Sequence, residues 1–197
     1  LGKVHEQISQ SIKALGKDML SSDLVIEHLG YNQSIEIIRK KAQRNYDMLM
    51  QQLKQAPTDG YIWFQLGQTL GHLKLPKQAE ESIKFAIQCG NLSDSIYSSA
   101  AATLSQLAGN DKRFAEALSW AEEALKISPD FLYALNLKAY SQLYLKNFTE
   151  AEATFRLAYS IYETQQGIPK SGFDIKVPLD IIEKGLLMAI EKDNKLN

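Results

Sequence analysis

The chain has 197 residues, of which 45% are hydrophobic and 23% are charged, and its 22 Lys and Arg nearly balance its 23 Asp and Glu. This apolar share is enough for a packed core and argues against a disordered chain. The near-neutral charge argues against a nucleic-acid-binding protein, whose phosphate contacts need clustered Lys and Arg. No apolar run approaches the ~20 residues of a membrane-spanning helix. The one cysteine, Cys89, cannot form an internal disulfide, so we expect a reducing, cytoplasmic location.

Residues 1–33 carry short motifs that do not belong to a repeat. They read G-K-V-H-E at 2–6 and V-I-E-H-L-G-Y at 25–31, and K-A-Q-R-N follows at 41–45. In this order the motifs resemble the end of the catalytic domain of family 2 glycosyltransferases of the kind that carry repeats behind it. We therefore expect residues 1–33 to be the C-terminal remnant of such a domain.

This resemblance implies a full-length nucleotide-sugar-dependent transferase with a Rossmann-like core and a divalent metal bound by an upstream D-x-D motif. The chain itself contains no D-x-D motif and no Gly-rich phosphate loop. A metal that bridges phosphates needs suitably placed carboxylates, so we expect no transfer activity from these residues alone.

His5 and Glu6 form the only pair with catalytic character. The resemblance implies a position near the sugar site of the full-length enzyme, where Glu6 would be a base or His5 a metal or phosphate contact. The alternative is that His5 caps a helix and Glu6 is solvated, because adjacent helical side chains diverge by about 100°.

A long helix is predicted over Ser34–Gln55, because apolar residues recur there every three or four positions. The segment Pro57-Thr58-Asp59-Gly60 ends this helix and caps the next one. We expect residues 34–56 to act as a linker and capping helix that packs against Trp63.

Three internal repeats follow over residues 57–163. A pattern of small residues begins at Ala79, returns 38 positions later at Ala117, and returns again 34 positions later at Ala151. Residues Trp63, Leu66, Gly67 and Leu70 would recur 34 positions on as Tyr97, Ala100, Ala101 and Leu104. The 38-residue spacing from Ala79 to Ala117 and the 34-residue spacing from Trp63 to Tyr97 agree if four extra residues lie in the turn around 108–112.

The period of about 34 residues, with W-x-x-L-G at 63–67 followed by spaced alanines, resembles the tetratricopeptide repeat. The resemblance implies an all-α, right-handed superhelix of antiparallel helix pairs, each with a helix A and a helix B. Residues 164–197 are predicted to be a loop up to Val177 and then a capping helix over Pro178–Lys192. That helix would bury Leu179, Ile182, Leu186, Leu187 and Ile190.

The A helices of such a stack line a concave groove. In this register the first repeat contributes Tyr61, Phe64, Gln68 and Gly71, and the second contributes Ser95, Ser98, Ala102 and Ser105. The third contributes Tyr133, Asn136, Tyr140 and Leu143. Binding a carboxylate needs charge-assisted donors, and these positions offer none, which disfavours a chaperone-type carboxylate clamp. We predict an apolar or neutral polypeptide partner, with Asn136 bonding its main chain. The alternatives are that the aromatic residues only pack against neighbouring helices, or that residues 164–197 fill the groove.

Three functions remain open at this stage. The first is a non-catalytic interaction or assembly module of a family 2 glycosyltransferase, which binds an acceptor protein or a second subunit. The second is a free-standing repeat scaffold, and the third is a complete enzyme. The missing D-x-D motif and parallel sheet argue against the third.

Overall fold

The computed structural model describes residues 12, 14–17, 34–165 and 177–195. Residues 34–165 and 177–195 form eight α-helices, and the described residues contain no strand. Their bounds are α1 Ile35–Gln55, α2 Gly60–His72, α3 Pro76–Gln88, α4 Asp94–Asn110, α5 Phe114–Ile127, α6 Leu132–Tyr144, α7 Phe148–Gln165 and α8 Leu179–Asp193. The predicted all-α architecture is confirmed.

Helices α2 to α7 form three antiparallel hairpins, and each hairpin packs on the next through its second helix. Helix α1 packs against α2, and α8 packs against α7 with a smaller contact to α6. The small residues Ala79, Ala117 and Ala151 are at most 1% exposed. Because they have almost no side chain, the two helices of each hairpin approach closely, as predicted. None of the described helices is both long and apolar enough to cross a membrane.

The register of the second repeat differs from the prediction. The Ser105 hydroxyl donates a 2.7 Å hydrogen bond to the carbonyl of Ala117, and the Ser98 hydroxyl donates one of 3.0 Å to that of Ala124. In the first repeat, Gly67 lies against the Ala79 carbonyl in the same way. The counterpart of Gly67 is therefore Ser105, 38 positions on, and not Ala101.

The turns between paired helices give the same register. Lys74, Lys112 and Lys146 adopt left-handed backbone conformations with φ of 63°, 61° and 66°, and they are 38 and 34 positions apart. The four extra residues therefore lie at the start of α4, which has 17 residues where α2 and α6 have 13. The prediction that placed them in the turn at 108–112 is wrong.

The left-handed turn lysines are a source of backbone strain, because a Cβ in this region costs roughly 1–2 kcal/mol. We expect Lys112→Gly to have a free energy of unfolding about 1 kcal/mol higher than that of Lys112→Ala. Both variants remove the same charge, so the difference isolates the backbone. Urea unfolding measures it, and equal midpoints for the two variants would contradict a strained turn.

An ion cluster joins the first two hairpins. Arg113, just before α5, pairs with Glu80 of α3 at 2.6 Å and also with Glu116, while Lys84 pairs with the same two carboxylates at 2.7 and 3.2 Å. Partial burial raises the pKa of Glu80, but hydrogen bonds from Arg113 and Lys84 outweigh it and hold the pKa below its usual value. The cluster therefore stays ionised at neutral pH.

Helix α8 covers the last hairpin through a narrower face than predicted. Ile182 and Ala189 are fully buried, and Gly185 is buried as well. Leu187 is 60% exposed, so its predicted burial is wrong. Small residues permit the close approach of α8 to α7. Leu187 lies two residues after Gly185, about 200° around the helix, and therefore faces away from α7.

Candidate functional site

The candidate site is the groove formed by the first helices of the three hairpins, α2, α4 and α6. Equivalent positions follow from the structural register. They are Tyr61, Phe64, Gln68 and Gly71 on α2, Ser99, Ala102, Gln106 and Gly109 on α4, and Tyr133, Asn136, Tyr140 and Leu143 on α6. None of these twelve positions carries a charged residue.

Only part of this face is accessible. Gln106 and Gly71 are exposed, and Tyr61, Gln68 and Tyr140 are half-buried. Three of these residues occupy the same position on successive hairpins, and we call Gln68, Gln106 and Tyr140 the middle row. The middle row therefore offers amide groups to a ligand on the first two hairpins, at Gln68 and Gln106.

Phe64 does not belong to the groove surface, and its prediction as a binding residue is wrong. Its side chain is fully buried and packs in a cluster with Ile83, Ala86, Ala100 and Leu104. Phe64 therefore joins the first hairpin to the second as a core residue.

Tyr133 and Asn136 were also predicted to line the groove, and both are buried, at 8% and 9% exposed. The Tyr133 hydroxyl and the Asn136 amide oxygen have no hydrogen-bond partner in the described part of the chain. Burial raises the pKa of Tyr133 above its usual value. Neither group is open to a partner in this conformation.

Tyr140 contacts the C-terminal helix. Its hydroxyl donates a 2.9 Å hydrogen bond to the carbonyl of Ile181, at the start of α8. Its ring packs edge-to-face on Phe155 at 5.1 Å between ring centroids. Helix α8, which belongs to the segment 164–197 that was the alternative occupant of the groove, therefore borders this end of it. Gln68 and Gln106 lie on the other two hairpins.

Gln106 is absent from the predicted groove because the predicted register places the four-residue offset after this residue instead of before it. That register predicts Ser95, Ser98 and Ser105 on the same helix, but Ser98 and Ser105 are buried against α5. The lysine in each interhelical turn was the available signal, since aligning these lysines gives the correct register.

The predicted pair His5 and Glu6 lies outside the described residues. Within residues 34–165 and 177–195, no three His, Cys, Asp or Glu side chains are placed to hold a metal ion.

The comparisons with known proteins support the helical-repeat fold. Residues 132–165, which form the third hairpin, match the family model of the tetratricopeptide repeat. No curated protein sequence matches the chain.

Several solved structures have a similar fold. One is MamA, at 16% identity over 87% of this chain and 98% of that chain, with a TM-score of 0.57. Another is YrrB, described as a TPR protein with an unusual peptide-binding site, at 11% identity over 96% and 98%, with a TM-score of 0.55. A third is the TPR2B domain of yeast Sti1 in its pHsp70 complex, at 17% identity over 64% and 91%, with a TM-score of 0.52. The chain therefore contains a tetratricopeptide repeat at residues 132–165, within a fold similar to that of these structures.

Proposed function

We propose that the repeat region is a non-catalytic protein-interaction module that binds a neutral polypeptide segment in its concave groove. The middle row carries this proposal. Gln68 and Gln106 present amide groups at matched positions on successive hairpins, and an amide both donates and accepts hydrogen bonds. Such side chains suit the alternating N–H and C=O groups of an extended main chain.

The class of partner is supported by the fold neighbours and by charge. The similar TPR2B domain of Sti1 is in complex with pHsp70, and YrrB has a peptide-binding site. The twelve groove positions of this chain carry no Lys or Arg, so a free carboxylate would lack charge-assisted donors there. An uncharged stretch within a polypeptide fits better.

The attachment to a family 2 glycosyltransferase is the finer part of the proposal, and it rests on the motifs at 2–6, 25–31 and 41–45. In that arrangement the module would position a cytoplasmic transferase, which uses a nucleotide sugar and a divalent metal, on an acceptor protein or a second subunit. A free-standing scaffold is equally consistent with the repeat region. The coding sequence upstream of Leu1 distinguishes the two, because a transferase requires an α/β domain with a D-x-D motif there.

The groove is tested with peptides selected from a random, uncharged dodecapeptide library displayed on phage. We expect the selected peptides to bind Gln68→Ala/Gln106→Ala about tenfold more weakly than the unmodified chain, since each lost hydrogen bond contributes about 0.5–1.5 kcal/mol. Isothermal titration calorimetry measures the affinities.

The matched control is Gln51→Ala/Gln88→Ala, which removes two exposed glutamines from α1 and α3. We expect this variant to bind like the unmodified chain. Equal affinities for the groove variant and the control, with both folded, would exclude the middle row as the binding site.

A further inference from the structure

A pocket lies between α1, α2 and α3, and none of the groove residues line it. Its volume is about 350 Å³. Three aromatic side chains line it, Tyr46, Trp63 and Phe85, together with the carboxylate-bearing Glu81 and the buried Leu66 and Leu70. The pocket thus combines aromatic rings, an acidic group and an aliphatic wall.

The aromatic part of this pocket is held in place before any ligand arrives. The Trp63 indole donates a 2.8 Å hydrogen bond from Nε1 to the carbonyl of Pro57. The centroid of its ring lies 4.8 Å from the centroid of the Phe85 ring, at an interplanar angle of 60°. Phe85 is 40% exposed. Aromatic faces carry a negative quadrupole, and tryptophan attracts cations most strongly.

Glu81 adds an exposed carboxylate beside the aromatic rings. It is exposed and makes no ion pair within the described residues. Its neighbour Glu80 points into the ion cluster with Lys84 and Arg113. The carboxylate beside the pocket is therefore available to a ligand. It attracts cations, as the aromatic faces do.

We propose that this pocket binds a lysine side chain of a partner polypeptide. The four methylenes of lysine match the aliphatic wall of Leu66 and Leu70, and its ammonium group matches the aromatic faces and the Glu81 carboxylate. Long cationic side chains bury their stems on apolar surface in this way. The site is separate from the concave groove and does not depend on a partner binding there.

The test uses Trp63 as its own reporter. The chain has two tryptophans, so Trp120→Phe leaves only Trp63. This protein is titrated with the blocked pentapeptide Gly-Gly-Lys-Gly-Gly and with its norleucine counterpart, which lacks only the ammonium group. We expect a saturable change in Trp63 fluorescence, with the lysine peptide binding at least about threefold more tightly.

Two further variants in the Trp120→Phe background separate the contributions. We expect Glu81→Gln to weaken the lysine peptide about threefold and to leave the norleucine peptide unchanged. Glu36→Gln, which removes an exposed carboxylate near the start of α1, is the matched control and should leave both affinities unchanged. Thermal unfolding verifies that each variant is folded.

Three results would overturn the proposal. Equal affinity for the two peptides would mean that the pocket selects only apolar groups, and the absence of any saturable change would mean that it takes no such side chain. A fluorescence change that follows protein concentration without peptide, together with dimers in sedimentation, would assign the pocket to a second copy of the chain.

Discussion

Phe64→Ala is expected to lower the free energy of unfolding by about 3–5 kcal/mol, the usual range for truncating a fully buried phenylalanine. The ring is 0% exposed and lies in the cluster that joins the first two hairpins. The cavity would open between Ile83 of α3 and Leu104 of α4, so the two hairpins would lose contact with each other as well as internal packing. Urea unfolding followed by circular dichroism measures the change.

Gln68→Ala is the matched control for this variant, since it lies one turn later on the same helix and is half-buried. We expect it to change the free energy of unfolding by less than about 1 kcal/mol while weakening peptide binding. The opposite result would contradict the assignment of Phe64 to the core. In that case Phe64→Ala would keep the free energy of unfolding of the unmodified chain and lose only peptide affinity.

Gly185→Ala is expected to destabilise the chain by about 1–3 kcal/mol, as overpacking of a tight core does. A Cβ at this position would collide with Cζ and Cε1 of the Phe155 ring. Phe155 is fully buried and packs against Tyr140, so its ring has little room to move. The substitution would force α8 away from α7, and amide hydrogen exchange should show faster exchange in α8.

The sign of this effect is diagnostic, because Gly→Ala inside a helix normally stabilises by up to about 1 kcal/mol. Gly71→Ala provides the comparison, since an added Cβ there meets no atom within 4 Å and the residue is exposed. We expect Gly71→Ala to be neutral or stabilising. If Gly185→Ala also raises the free energy of unfolding, α8 does not pack tightly on Phe155.

Much of the fold was predictable because helical periodicity is a property of the local sequence. The apolar spacing in residues 35–53 predicted α1, and the three buried alanines at 79, 117 and 151 predicted the hairpin contacts. The register of the second repeat was not predictable from spacing alone. Four residues are close to one helical turn, so Ala101 and Ser105 lie on nearly the same face and either fits a small-residue position.

The groove was less predictable than the fold, because accessibility depends on how neighbouring helices pack. Tyr61, Gln68 and Tyr140 are half-buried on the predicted face, but Phe64 on the same face is buried by the next hairpin. The contact of Tyr140 with Ile181 joins residues 41 positions apart. Local periodicity contains no information on such a contact.

The longer α4 shows how an array of this kind can change its length. Four inserted residues advance an α-helix by about 400° and 6 Å. The chain from α3 therefore enters α4 one turn earlier but on almost the same side, and a short connection still reaches it. One inserted residue would rotate the entry point by about 100° and two by about 200°, so the connection would have to reach a different side of the helix. Insertions at this point are thus best accommodated in steps of a whole turn. An alignment that assumes a fixed period of 34 residues misplaces the following residues wherever such an insertion occurs.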